Sequence, residues 1–142
     1  MINGINSREM ILEILLEIEE GEHSHVAIRN ALSKYQFLPK QDRAFITRVC
    51  EGTLEYRIQI DYIINSFSKV TVDKMKPAIR EILRSAVYQL KYMDSVPDSA
   101  VCNEAVKLAQ RKGFYNLKPF VNGVLRTIAR EMDPGPVPSK RR

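Results

Sequence analysis

Seven apolar residues, Ile79, Ile82, Leu83, Ala86, Val87, Leu90 and Met93, recur at spacings of three and four. That period puts them on one face of an α-helix and does not suit a strand, whose faces alternate every second residue. Pro77 falls in the first turn of this helix, where its missing N–H costs nothing. A stripe this continuous has to be covered, so the segment is expected to be a central helix touched by both halves of the molecule. No stretch of useful length alternates as a strand does. The fold class is therefore all-α, with six to seven helices in two packed bundle halves.

The other helices read outward from this one. Asn6 or Ser7 caps a first helix with Met10, Ile11, Ile14, Leu15 and Ile18 on one face, while Leu12 and Leu16 widen that face. Glu9, Glu13, Glu17, Glu19 and Glu20 give it an acidic edge. Gly21 breaks the chain, and Ser24 is the expected N-cap of a second helix carrying Ala27, Ile28, Ala31 and Leu32. Pro39 and Asp42 open a third helix through Phe45, Ile46, Val49, Cys50 and Leu54, with Gly52 allowing close packing. Ile60, Ile63, Ile64 and Phe67 continue a helical pattern to about residue 67. Thr71 and Asp73 are cap-like. Arg80 and Arg84 stand one turn apart, as phosphate binders do; the alternatives are a helix surface and, for Arg84, an internal structural arginine. Asp61 reads as a surface residue or one half of an internal ion pair.

Most of the functional information lies in Val96 to Arg130. Pro97 fits a first helical turn, with Asp98 and Ser99 favouring its positive end. Val101, Ala105, Leu108 and Ala109 share a face, and Gly113 ends the helix with a positive φ. Asn116 is the expected N-cap of the next helix, with Pro119 in its first turn and Phe120, Val121, Val124, Leu125 and Ile128 facing inward. Arg111, Lys112 and Lys118 flank Phe114 and Tyr115 in between. Cations at a helix start hold phosphate, and exposed rings stack on unpaired bases. The alternative is a solvated loop with both rings tucked into the core. Asn122 and Gly123 are poor helix formers inside the last helix. They read as packing residues, Gly123 admitting a neighbouring helix and Asn122 bonding neighbouring backbone.

The charge is unevenly spread. From Lys107 onward nine Lys or Arg face only Glu131 and Asp133, a net of +7 in a chain whose total is +5. Removing Lys140, Arg141 and Arg142 still leaves +4 in that quarter. Such a field favours a polyanionic partner.

Several function classes lack their residues. No glycine-rich nucleotide loop and no nucleophilic triad occurs. Cys50 and Cys102 are far apart and read as buried free thiols. His23 and His25 lack an evident third ligand, so no metal and no cofactor is expected. No apolar run approaches the roughly 20 residues of a membrane span, and the N-terminus has no signal-like pattern. A cytoplasmic protein with no membrane partner is the expectation. Residues 1–132 read as one domain, and 133–142 (DPGPVPSKRR) as a disordered basic tail or linker stub.

Ordered motifs carry a resemblance. DRAFITRVCEGTLEYRIQIDYIIN at 42–65, IREILRSAVYQLKYMDSVP at 79–97, VPDSAVCNEAVKLAQRKG at 96–113 and FVNGVLR at 120–126 resemble the NusB family of helical RNA-binding domains. That family includes stand-alone antitermination factors and the N-terminal domain of a ribosomal RNA cytosine 5-methyltransferase (RsmB or Fmu). EGTLEYR and Arg126 resemble the methyltransferase branch, since the antitermination factors usually carry an acidic residue at that position. The resemblance implies a pair of three-helix units and a non-catalytic role. The methyltransferase needs a nucleophilic cysteine in a Pro-Cys setting, which neither Cys50 nor Cys102 has. It implies RNA contact through Lys112 and Asn116, which match the family's loop before FVNG, and through Arg8, the only match to the basic N-terminal helix of the family; Arg111, Tyr115 and Lys118 join them on the local reading of the loop. Asn103, Glu104, Asn122, Gly123 and Arg126 are its structural motif residues. The implied partners are ribosomal or leader RNA and a ribosomal protein or transcription factor. The competing reading is a protein-interaction module, a homodimer included, which predicts an exposed apolar patch.

Overall fold

A computed structural model describes residues 6–132; the proposed tail at 133–142 lies outside the described residues. Seven α-helices follow one another: α1 (Ser7–Glu19), α2 (Ser24–Lys34), α3 (Lys40–Glu55), α4 (Arg57–Phe67), α5 (Pro77–Tyr92), α6 (Asp98–Arg111) and α7 (Lys118–Glu131). Short 3₁₀ turns lie at Val72–Lys74 and Tyr115–Leu117. There is no strand among the described residues.

The expected central helix is α5. It packs against α1, α3, α4, α6 and α7, and Ile79, Ile82, Leu83, Ala86, Val87, Leu90 and Met93 are all buried. α1, α2 and α3 pack on one another as one half, while α6 and α7 form the other with α4 against α5 and α7. The wide apolar face of α1 is covered by α2, α3, α5 and α6, and its acidic edge, buried Glu9 apart, stays at the surface. Its start is capped by Asn6, whose Oδ1 accepts from the Glu9 N–H at 2.8 Å.

Local details differ from expectation in ways that have physical reasons. α3 and α4 are separate helices, broken at Tyr56. Tyr56 stacks on Tyr92 at 4.5 Å between centroids, and Tyr92 stacks on Tyr88 at 5.3 Å, so ring packing holds the bend. Gly52 lies under the Tyr88 ring, and a Cβ there would sit 2.2 Å from its carbons. His23 rather than Ser24 is the N-cap residue of α2, and Pro97 takes that position in α6; neither makes a side-chain cap bond.

Arg80 and Arg84 are structural. Arg84 donates to Asp61 through Nε (2.8 Å) and Nη2 (2.9 Å) and to Glu81 at 2.8 Å, buried between α4 and α5. Arg80 clamps Glu19 at 2.7 and 2.9 Å and donates to the Val72 and Met75 carbonyls. Together they tie the end of α1, the first 3₁₀ turn and α4 to α5.

Candidate nucleic-acid interface

The connection between α6 and α7 is built by a Schellman motif. Gly113 adopts φ +91°. Its N–H donates to the Gln110 carbonyl at 3.0 Å, and the Phe114 N–H reaches back to Ala109 at 2.9 Å. This closes α6 and satisfies carbonyls that its end would leave open. The motif separates the two rings. Phe114 turns inward and packs against the core, whereas Tyr115 is 63% exposed. Asn116 is exposed inside the second 3₁₀ turn and caps nothing; α7 begins at Lys118 after Leu117, with no side-chain cap.

The cations of this segment differ in what they meet. Lys112 Nζ lies 3.1 Å from both Glu9 and Glu13, and Arg111 lies 3.4 Å from Glu9. Burial lowers the Lys112 pKa, but hydrogen bonds to Glu9 and Glu13 outweigh that and raise it. The acidic edge of α1 therefore neutralises these two cations. Lys118 is different. Its ammonium lies 4.6 Å from the Tyr115 ring centroid and donates to Gln110 Oε1 at 2.6 Å. Among the described residues it makes no ion pair with a carboxylate. A cation over one face of an exposed ring leaves the other face open to a base.

Arg8 is drawn inward. It is half-buried, donates to Gln89 Oε1 at 3.1 Å and lies over the Phe45 ring at 5.2 Å. Burial pulls its pKa down and the charge of Glu104 offsets part of that. Arg8 thus joins α1, α3 and α5, and the structure gives it a different setting from the loop cations.

The motif residues form a network of their own. Arg126 donates through Nε to Asn122 Oδ1 at 3.0 Å and through Nη2 to Asn103 Oδ1 at 2.8 Å. Asn122 therefore accepts from a side chain and is not seen bonding backbone. Gly123 admits no neighbouring helix: it is exposed, and a Cβ there would meet nothing within 4 Å. Glu104 pairs with exposed Lys107 at 3.6 Å. Lys107 and Arg130, which the sequence reading counted only in the overall charge, each meet a carboxylate: Lys107 that of Glu104 and Arg130 that of Glu131 at 3.3 Å.

Cys50 and Cys102 are buried free thiols, and burial raises both pKa values. No group of three His, Cys, Asp or Glu suited to a metal occurs among the described residues, and none of their helices is long and apolar enough to cross a membrane.

The result is a two-half helical bundle domain with one cationic, aromatic edge. The model of the NusB family matches residues 5–130. The chain is 35% identical over 124 residues to the "Probable ribosomal RNA small subunit methyltransferase B" of Bacillus subtilis, covering 87% of this chain and 28% of that protein. It is 33% identical to the "Transcription antitermination protein NusB" of Bacillus velezensis, covering 89% of this chain and 95% of that one. Among solved structures, T. maritima NusB superposes with a TM-score of 0.79 at 26% identity, covering 88% of this chain and 89% of the other. A NusB in complex with NusE and dsRNA gives 0.80 at 21%, covering 87% and 93%. The chain spans less than a third of the B. subtilis methyltransferase and nearly the full length of the B. velezensis protein. It belongs to the NusB family.

Proposed function

We propose that the chain is a non-catalytic RNA-binding domain that holds ribosomal or leader RNA along the α6–α7 edge. The observation that carries this is Lys118 poised over the exposed Tyr115 ring with no carboxylate partner. It pairs a phosphate-binding charge with a stacking face at one point. The names of the relatives supply two settings for such a domain, ribosomal RNA methylation and transcription antitermination. In the first, the domain directs a catalytic partner to ribosomal RNA; in the second it acts on a transcript. A catalytic role of its own is disfavoured because both thiols are buried with raised pKa values and thiolates are the reactive form. A cytoplasmic location fits either setting.

One observation favours a second contact, with protein. Ile58 is 87% exposed and Tyr62, one turn on, is 74% exposed on α4. This apolar face suits a ribosomal protein, a transcription factor or a second copy of the chain.

The test is binding of the chain to ribosomal and leader RNA fragments over a salt series, beside a variant with Tyr115 and Lys118 changed to Ala. Salt-sensitive binding that drops in the variant supports the proposal, and the preferred RNA separates the two settings. Absence of binding at low salt by either protein refutes it and leaves the α4 face as the better account.

A further inference from the structure

Gly123 is hard to explain by the domain's own packing. A glycine inside a helix weakens it, and here no neighbour requires the missing side chain. Its surroundings point outward. Pro119, Gly123 and Arg130 are exposed on α7, with half-buried Arg126 one turn from Gly123. This leaves a smooth stretch of backbone bordered by basic side chains.

Arg126 itself is held in a fixed plane. Its two bonds go to the amide oxygens of Asn103 on α6 and Asn122 on α7. Amide oxygens orient a guanidinium without neutralising it, in contrast to the carboxylates that hold Arg80 and Arg84. A guanidinium has five N–H groups, so three remain after these bonds, with no other hydrogen bond or ion pair among the described residues. Orientation by two neutral acceptors with charge and donors left over is suited to a phosphodiester, which takes a planar fork of N–H groups. A purely structural tie between α6 and α7 accounts for the Asn103 bond. It does not account for the bare backbone beside it.

We propose that Arg126, positioned by Asn103 and Asn122, is a phosphate clamp, and that the RNA sugar–phosphate backbone passes over Gly123 on its way from Lys118 to Arg130. Lys118, Asn122, Arg126 and Arg130 are spaced by four residues, an advance of about 6 Å per step along the helix. That is similar to the separation of adjacent phosphates on one RNA strand. Lys107, one turn beyond Asn103 on α6, is exposed and pairs with Glu104, as Arg130 does with Glu131, and Asp98 lies with Arg126 near Cys102. This inference rests on the RNA-binding reading above and adds the path and the residue that sets it.

The experiment uses the full chain and a labelled single-stranded oligouridylate, with affinity measured over a salt series. Arg126→Ala is expected to weaken binding several-fold and to make the salt slope shallower by about one. Arg126→Lys keeps the charge and the slope but loses the fork, so affinity falls. Asn103→Ala and Asn122→Ala leave the charge in place; binding weakens with the slope unchanged. Gly123→Leu weakens binding without lowering the melting temperature. If all these variants bind as the parent does while Lys118→Ala weakens binding, the clamp is overturned and the RNA reading stands. If the parent binds no RNA even at low salt, the Nε resonance of Arg126 is followed against inorganic phosphate. A saturating shift lost in Asn103→Ala retains the anion clamp without the RNA reading, and no shift overturns both.

Discussion

Arg84 and Asp61 meet through two parallel hydrogen bonds of 2.8 and 2.9 Å, joining α5 to α4. Breaking a buried pair by deleting one partner leaves the other charge uncompensated, at a cost of about 3–5 kcal/mol. Arg84→Ala is therefore expected to lower stability by about 3 kcal/mol or more, read by urea denaturation. At a temperature where the variant is still folded, its RNA affinity and salt slope should match the parent. A shallower salt slope with unchanged stability would instead make Arg84 a phosphate binder.

Glu81 and Glu19 sit in the same cluster and titrate in opposite directions. Burial, with a hydrogen bond to Glu19, pushes Glu81 up to about 8 from its ordinary 4.5. Hydrogen bonding from Arg80 holds Glu19 at about 2. Glu81 therefore contributes stability that is complete below its unfolded value and is lost as pH rises through about 8. Glu19 contributes stability present above its unfolded value and lost as pH falls through about 2. Glu81→Gln mimics the protonated carboxyl. Denaturation midpoints should fall less from about pH 5 to about pH 9 in this variant than in the parent. Parallel pH profiles would show that Glu81 does not hold its proton in the fold.

Two helical glycines predict opposite outcomes for one substitution. At Gly52 a Cβ would lie 2.2 Å from the Tyr88 ring, and that ring is fixed by its stack on Tyr92. Overpacking costs about 1–3 kcal/mol, so Gly52→Ala should destabilise. At Gly123 the Cβ meets nothing, and replacing a helical glycine by alanine gains about 1 kcal/mol. Gly123→Ala should melt higher than the parent, and thermal denaturation of the pair checks both signs. A lower melting temperature for Gly123→Ala would mean that a neighbour occupies the space beside it.

The helical period of the chain was strong enough to locate every long helix, and the apolar stripe from Ile79 to Met93 identified the element at the centre. Gly113 was legible too, because few other residues close a helix at positive φ. What the sequence hid were choices made by tertiary contact. The break at Tyr56 depends on rings from α5, 32 and 36 residues away at Tyr88 and Tyr92. At the site, local reading grouped Arg111, Lys112 and Lys118 as equals. Only the packing of α1 beside the end of α6 shows that Glu9 and Glu13 neutralise the first two. The same holds for Arg126, whose partner Asn103 is 23 residues away.

That difference among cations ranks their replacements. Lys112→Ala removes a partner of buried Glu9 and exposed Glu13 and should cost stability more than RNA affinity, whereas Lys118→Ala should do the reverse. Denaturation and RNA titration of the two variants side by side check this order, and equal losses of RNA affinity with no loss of stability would contradict it.

The most direct measurement is RNA binding by the parent and by a Tyr115→Ala, Lys118→Ala double variant over a salt series. The α6–α7 edge as RNA site predicts linear dependence of log affinity on log salt for the parent. It also predicts weaker binding by the double variant, with a slope shallower by about one. Equal affinity and slope for the two proteins, or no binding by the parent at low salt, would contradict it.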